Sequence, residues 1–504
     1  MSKEKDINLS MFRAYDIRTP ASSLGTELAS RLDHAMALYF KQDLGVKGVI
    51  VAHDARSTGP RYLQNGAEIF LNAGLDVIVI PGVCSTSMFY FTAMQYPDMA
   101  AVMFGASHNP AGDTGCKILG KGVFPIAEHI GPEGGLDKIK EYYILGNSAN
   151  FKSRGSIKAY DPTGDYIAYS MELAGVRKGG LKGLRIFQDY LNGAAGREMM
   201  LAFARAEADL SPLHFTADGS FPLGDPNPVK QEVIAEGLRT LKKGGSLLGV
   251  FFDGDGDRID FYNGSGVFLS SSFVFAGILP EIRKRFPGDG IGVYADLKSN
   301  PLAIMEMAKT GVTVNVIRNG HSQIKNAMYE NPAMVATVEE SAHFYEAFTY
   351  QGARYCTENT LYIALLTART WLENPGKYTE LFEIQSETSR AREWGYKFPG
   401  DDHRTEALRD VEEYFRSFGA KVMSRMPNGY DLEATMMRKG IPFDIDENTI
   451  ISSDWLQVCQ RISQSENGLA RWEVVSGDPK LTAMAKEEIA HIVKKHGAGD
   501  EYKG

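Results

Sequence analysis

The chain has 504 residues, 43% of them hydrophobic and 23% charged, with a formal net charge of −9. This composition excludes a disordered chain, a collagen-like fibre and a disulfide scaffold. The negative balance argues against broad nucleic-acid binding, yet it leaves room for a phosphorylated small molecule held by a few arginines in a cleft. At roughly 150 residues per domain, the length predicts three or four domains. The opening MSKEKDINLS is polar and carries no apolar signal core. No apolar run approaches the roughly 18 residues of a membrane span. A cytoplasmic protein with no membrane partner is expected. Cys84, Cys116, Cys356 and Cys459 are scattered without a CxxC pair, which disfavours a disulfide framework or a zinc site.

In chain order, VKGVIVAH, LDVIVIPG and AAVMFGAS predict the first buried strands. LKGLRIFQD and SLLGVFFDGD predict a second group; IGVYAD, VTVNVIR and AMVATVEES predict a third. Amphipathic stretches such as PRYLQNGAEIFLNAG and NPLAIMEMAKTG lie between them. Continuous apolar strands alternating with helices indicate parallel α/β layers covered on both faces. The pattern restarts after about residues 153 and 268. Beyond about residue 378 the chain is more charged and has fewer buried-strand runs, as expected of a smaller α+β domain. WEVVSGDPKLTAMAKEEIAHIVKKHG there predicts a strand, a turn and a closing helix. The expected divisions are 1–153, 154–267, 268–377 and 378–504.

Four segments carry candidate chemistry. In FGASHNPAGDTGCKI, Ser107 follows a strand amid Gly105, Asn109, Pro110, Gly112 and Gly115, with His108 adjacent and Lys117 ten residues on. Small turn-forming residues predict an exposed hydroxyl and backbone N–H groups free to face an anion; an incidental serine in an ordinary turn is the competing reading. In FFDGDGDRID, Asp253, Asp255 and Asp257 alternate directly after an apolar strand. Three carboxylates in five residues repel one another unless an oxygen-seeking divalent cation joins them. An EF-hand is excluded, because Arg258 stands at the loop's sixth position and Gly264 at its twelfth. A solvated acidic turn is disfavoured by the buried run leading into Asp253. In TVEESAHFYE, Glu339, Ser341 and His343 alternate, so an extended backbone would point them one way; carboxylate, hydroxyl and imidazole together suit vicinal sugar hydroxyls. Upstream, His321 falls in a loop after VTVNVIR. In RISQSENGLARW, Arg461, Ser463, Gln464 and Ser465 offer a guanidinium, hydroxyls and an amide that suit a dianionic phosphate. An ordinary polar strand end or turn competes for each of these last two.

Together and in this order, these segments resemble the α-D-phosphohexomutase superfamily, and most of all its bacterial phosphomannomutase/phosphoglucomutase branch. MFRAYDIR resembles the family's N-terminal FRAYDIRG, and GASHNP with GCKI its phosphoserine loop. DYLNGAAG, FPLGDPNP and DGDGDR resemble segments of its second domain, and ADLKSN, RNGHSQIK and EESAH segments of its third. RISQSEN resembles its C-terminal phosphate loop. The resemblance implies three similar α/β domains plus a smaller C-terminal α+β domain around a central active-site cleft. It implies Ser107 as phosphoserine, with Asp253, Asp255 and Asp257 holding Mg²⁺ beside it. It implies interconversion of hexose 6-phosphate and hexose 1-phosphate through a hexose 1,6-bisphosphate intermediate. By the same similarity, His108, Lys117 and Arg258 serve the transfer and Glu339, Ser341 and His343 bind sugar hydroxyls. Arg461, Ser463, Gln464 and Ser465 hold the non-transferring phosphate, while Tyr15, Arg18, Lys298 and His321 line the cleft. A monomer or homodimer is expected. Since the ligand groups come from four segments, binding is expected to draw the C-terminal domain inward.

The sequence departs from the family at several points. Ala342 stands where the family has Gly before the sugar-loop His, Val338 replaces a leading Gly, and Thr-Pro follows Arg18. A Cβ at Ala342 would constrain the loop's backbone angles. A phosphoglucosamine or phospho-N-acetylglucosamine mutase is the nearest alternative. A non-catalytic sugar-phosphate binder and a metal-dependent phosphatase are the others.

Overall fold

The computed structural model describes residues 7–151, 153–425, 429–463 and 468–503. The chain forms a mixed α/β fold with four strand-bearing regions in chain order, and it divides into two compact units. The first contains Met1–Phe268, Gly320–Asn331 and His343–Leu372; the second contains Leu269–Asn319, Pro332–Ala342 and Glu373–Gly504.

In the first unit, the strands Gly48–His53, Asp76–Val83 and Ala100–Phe104 form where the apolar runs predict them. Gly48–His53 pairs in parallel with both of the others. Val49, Val51, Val77 and Val102 bury one face of this sheet against Leu32, Met36, Phe40 and Phe70 of the covering helices. Burial on both faces is why these strands are continuously apolar. Asp113–Leu119 then returns antiparallel beside Ala100–Phe104, bringing Lys117 opposite Met103, and Ile17–Pro20 pairs with it on the far side. A second sheet has Arg185–Asp189 parallel to both Asp209–Leu213 and Leu248–Phe252, with Ile259–Asn263 antiparallel to the latter. Phe187, Val233, Ile234, Leu241 and Phe251 form its core. A hairpin of His343–Tyr350 and Ala353–Glu358 completes this unit.

In the second unit, Gly292–Asp296 lies parallel to Thr313–Ile317 and to Met334–Glu339. Three helices here start on one local signal, Asn or Asp followed by Pro. The side chains of Asn300, Asn374 and Asp478 accept from the N–H groups of Leu302, Lys377 and Lys480, and proline fills the first helical position. The C-terminal region is a wholly antiparallel six-stranded sheet with the helices Asp401–Ser417 and Pro479–Lys495. Trp394, Val411, Phe415, Trp472 and Ile489 form its core. Its strands are richer than the sequence reading expected. Asp431–Lys439 and Ser389–Lys397 mix half-buried and exposed residues with one run of three buried ones rather than running apolar, so the sequence carries no unbroken apolar signal there. Among the described residues, no helix is long and apolar enough to cross a membrane.

Candidate functional site

In the first unit, the ends of three strands converge. Ser107 stands just past Ala100–Phe104, Lys117 lies within the returning strand, and the three aspartates follow Leu248–Phe252. Ser107 has a φ of 48°, a left-handed conformation that non-glycine residues rarely adopt. Its Oγ donates to Asp253 Oδ2 at 2.8 Å, and His108 Nδ1 lies 3.4 Å from the same oxygen. The turn-rich sequence predicts an exposed serine, but Ser107 is only 2% exposed. The aspartate loop covers it: Gly254 lies so close that a Cβ there would fall 2.6 Å from the Ser107 carbonyl oxygen.

The aspartates are buried together, with one carboxylate oxygen of each lying within 4.8 Å of the others. Asp253 Oδ1 accepts from the N–H groups of Gly256 and Arg258, both at 3.1 Å. Asp255 Oδ2 accepts from Thr86 Oγ1 and from Lys117 Nζ, both at 2.7 Å, and Lys117 also bonds Asp257 Oδ2. Lys117 therefore sits on the acidic loop rather than behind Ser107, because it is the cation that burial of three carboxylates demands. Burial and the two neighbouring carboxylates push Asp253 well above the usual range, and burial with Asp255 raises Asp257. Burial also acts on Asp255, but Lys117 and the hydroxyls of Thr86 and Ser107 outweigh it and hold that carboxyl low. Oδ1 of Asp255 and Oδ1 of Asp257 are buried with no hydrogen-bond partner. Two orphaned carboxylate oxygens in an all-oxygen set fit a hard divalent cation.

A second network adjoins the first. Arg258 Nε donates to His343 Nε2 at 3.1 Å, while His343 Nδ1 meets Glu358 Oε1 at 2.8 Å. Since Arg258 can only donate, the imidazole carries its proton on Nδ1 and gives it to Glu358. Fully buried Lys325 bonds Glu358 Oε2 at 3.2 Å and Tyr90 Oη at 2.9 Å. Burial opposes ionisation of Glu358, yet Lys325 and His343 bring it down to about 2. Near the start of the chain, Tyr15 packs edge-on to His321 with centroids 6.0 Å apart. His321 Nε2 is buried with no hydrogen-bond partner. Arg18 bonds Asp16, Asn109 Oδ1 and the Ala106 carbonyl, so it braces the serine loop.

The second unit holds a cluster of opposite sign. Glu393 accepts from Arg461 Nη2 at 2.9 Å and from Arg471 Nη1 at 2.9 Å, and Lys298 Nζ lies 3.6 Å away. Burial opposes ionisation of Glu393, but Arg461, Lys298 and Arg471 hold its carboxyl well below the usual range. Lys298 also lies 3.6 Å from Asp296 Oδ2, which accepts from Asn319 Nδ2 at 2.7 Å. The same amide reaches Glu339 Oε1 at 3.0 Å. Ser463 is buried, and its N–H bonds the Leu469 carbonyl. Gln464 and Ser465 lie outside the described residues. The alternation of Glu339, Ser341 and His343 does not carry through as extended backbone. The strand ends at Glu339, the Ala342 N–H turns back to the Glu339 carbonyl at 3.0 Å, and Ala342 takes a φ of 74°. The Cβ of Ala342 is thus held in a glycine-type conformation.

Several residues escape sequence reasoning: Glu358, Lys325, Glu393 and Arg471 above, and Asp54 and Arg56 just past the strand Gly48–His53. Each of the first four meets partners 15 to 235 residues away in the chain only through the fold; the local sign for Asp54 and Arg56 is AHDARST, two charges directly after an apolar strand.

The chain matches the family model described as "Phosphoglucomutase/phosphomannomutase, alpha/beta/alpha domain I" over residues 9–132, and its domain II counterpart over residues 165–266. It is 28% identical over 351 residues to a phosphomannomutase of Salmonella montevideo, covering 68% of this chain and 74% of that one. It is 25% identical over 338 residues to a phosphoglucomutase of Neisseria meningitidis, covering 66% and 70%. A crystal structure of a phosphoglucomutase/phosphomannomutase family protein from Burkholderia thailandensis shares the fold, with a TM-score of 0.77 at 21% identity over 97% of this chain and 98% of that one.

Proposed function

Because the chain belongs to the α-D-phosphohexomutase superfamily, we propose that it interconverts the 6-phosphate and 1-phosphate of a hexose, mannose or glucose, as an intramolecular phosphotransferase. The observation that carries this reading is the serine hydroxyl 2.8 Å from one of three buried aspartates, two of which keep an unpartnered oxygen.

Ser107 is the phosphoryl carrier. Asp253, Asp255 and Asp257, with an oxygen on Ser107, would hold Mg²⁺, which when bound supplies neutralisation of phosphoryl charge. Ser107 Oγ gives its phosphoryl group to a free sugar hydroxyl: the P–Oγ bond breaks as the new P–O bond forms. His108, 3.4 Å from Oγ, stands where the proton moves. The resulting hexose 1,6-bisphosphate turns over and returns its other phosphoryl group to Ser107. Lys117 and Arg258 supply positive charge around the transferring group. Glu339, Ser341 and His343 read sugar hydroxyls; for His343 this is the ring that Arg258 and Glu358 hold in one tautomer. Arg461, Ser463, Gln464 and Ser465 bind the phosphate that is not being transferred, and Lys298, 3.6 Å from Glu393, adds positive charge. Tyr15, Arg18 and His321 line the path. The protein works in the cytoplasm as a monomer or homodimer on a phosphorylated hexose, consistent with four buried free cysteines.

The test is a substrate panel of mannose, glucose, glucosamine and N-acetylglucosamine phosphates, with hexose 1,6-bisphosphate and Mg²⁺ present and intact mass read in parallel. Isomerisation of the mannose or glucose phosphates with a phosphorylated Ser107 is expected. Exclusive turnover of an amino sugar would move the chain to the alternative branch. Release of free phosphate, or binding without turnover, would overturn the mutase reading.

A further inference from the structure

One deeply enclosed guanidinium of the first unit plays no part in the chemistry above. Arg56 follows the strand Gly48–His53 and is 1% exposed. Its guanidinium sits inside the serine loop. Nη2 donates to the carbonyls of Ser107 at 2.8 Å and Asn109 at 2.7 Å, and Nη1 to those of Pro110 at 2.5 Å and Asp113 at 3.2 Å. Nε donates to Asp54 Oδ2 at 3.2 Å. The same oxygen accepts from the Ala106 N–H at 3.0 Å, and Asp54 Oδ1 accepts from the Arg56 N–H at 2.9 Å. The Phe221 ring lies 5.2 Å from the guanidinium carbon. Gly105 lets Asp54 come this close: a Cβ there would lie 2.4 Å from Asp54 Oδ2.

Every guanidinium nitrogen is thus engaged, and four of the bonds point at backbone carbonyls within seven residues around Ser107. A carbonyl turned inward toward Arg56 fixes the peptide plane that carries it. At Ser107 this coincides with a φ of 48°, a conformation a serine leaves unless its surroundings hold it. The direction of Oγ toward Asp253 follows from that backbone setting.

We propose that Arg56, held by Asp54, is a positioning residue for phosphoryl transfer: from inside the loop it fixes the backbone at Ser107 so that Oγ faces the acidic trio. The proposal rests on the reading of Ser107 as phosphoryl carrier. Arg56 touches neither the transferred group nor the sugar. Lysine cannot take its place, because a point-like ammonium with three donors cannot span four carbonyls and a carboxylate that a planar fork spans.

The experiment compares wild type with Arg56→Lys and Arg56→Gln, using steady-state kinetics and the rate at which hexose 1,6-bisphosphate phosphorylates Ser107, read by intact mass. Circular dichroism and thermal melting establish folding. In folded Arg56→Lys, kcat and the Ser107 phosphorylation rate are expected to fall together by about 100-fold, the scale of an ångström-sized misplacement. KM is expected to change by less than about threefold, since no substrate contact is lost. Folded variants that keep kcat within about threefold, or that lose KM instead of kcat, overturn the proposal. So do variants that fold at no temperature, because Arg56 would then hold the domain together rather than aim the serine. A wild-type protein that never acquires the phosphoryl group refutes the carrier reading itself. A phosphorylated wild type alongside equally fast variants refutes only the role of Arg56.

Discussion

The two charged clusters are built on inverse plans. In the first unit three carboxylates cluster around two cations: Asp255 and Asp257 bond Lys117, while Asp253 takes the serine hydroxyl and lies 3.8 Å from Arg258. In the second unit three cations, Lys298, Arg461 and Arg471, surround the carboxylate of Glu393, and Lys298 also faces Asp296. Buried or half-buried like charges survive only when paired, and each cluster pairs just enough to stay folded while keeping an excess of one sign. In the function proposed above, the first excess would draw a cation and the second a phosphate. The internal counter-charge holds each set in place before the ligand arrives, so less ordering remains to be done on binding.

The predictions attack this contrast at successively weaker points. The largest effect belongs to Ser107→Ala, which removes the oxygen proposed to carry the phosphoryl group. Turnover is expected to drop at least about a thousandfold, a loss of ~4 kcal/mol in the barrier. The fold should persist, since a single hydrogen bond to Asp253 is lost; near-normal turnover of the purified variant would end the carrier role.

Asp255→Asn comes next. It removes the carboxylate on which Lys117 and Thr86 converge. We expect about a hundredfold loss in kcat and a rightward shift of the Mg²⁺ activation curve. Chelator-treated wild type that works at full rate without added metal would make the acidic plan structural rather than functional.

Arg461→Ala tests the opposite cluster. With Arg461 gone, Glu393 keeps Lys298 and Arg471, so the site stays folded but loses its guanidinium fork. KM for the hexose phosphate is expected to rise about tenfold and kcat to fall, because the bisphosphate must be regrasped after it turns. Constants that both stay within about twofold, worth ~0.4 kcal/mol, would remove the basic cluster from phosphate binding.

The smallest effect comes from a carboxylate with neither plan. Asp33 is 2% exposed and is met by the Asn65 amide. Burial pushes it up to about 8, only partly opposed by that amide. Its unfolded value is near 4, so between about pH 4 and 8 the unfolded chain ionises there and the folded chain does not. Stability therefore falls across that window as pH rises, and it levels off above about pH 8. Asp33→Asn cannot ionise. Its melting temperature is expected to gain on wild type from pH 5 to pH 8 by roughly a few degrees. Parallel melting curves for the two proteins across that range would show that Asp33 ionises freely in the fold.

The central strands were legible because burial on both faces writes itself as unbroken Val, Ile and Phe. The aspartate loop was legible because its carboxylates are neighbours in sequence. The mutual contacts were not. Lys117 meets Asp255 across 138 residues, and Ser107 meets Asp253 across 146. A residue such as Glu393 shows no local signal, since its meaning lies in cations contributed from Lys298, Arg461 and Arg471. Arg56 was missed for the same reason. A charged residue after a strand reads as a solvated turn until the loop that closes over it is seen. Periodicity did not show the turn at Ala342, because it assumes one backbone conformation and Ala342 leaves it; the family's glycine at that position was the sign that did.

The first unit is assembled from three stretches of chain, the last of them His343–Leu372. Its closing contacts are long in sequence: Ser87 meets Thr360 across 273 residues, and Tyr166 meets Asn359 across 193. During synthesis the Ser107 loop leaves the ribosome long before His343, and at usual elongation rates the wait is on the order of tens of seconds. Through that interval Arg258 has no imidazole to bond and Tyr90 no lysine, and the apolar faces that the late hairpin covers stay open. Non-local closure of this kind is slow even for the finished chain, because loop entropy is spent before the contacts return it. A chain cut anywhere before His343 lacks the residues that make these closing contacts.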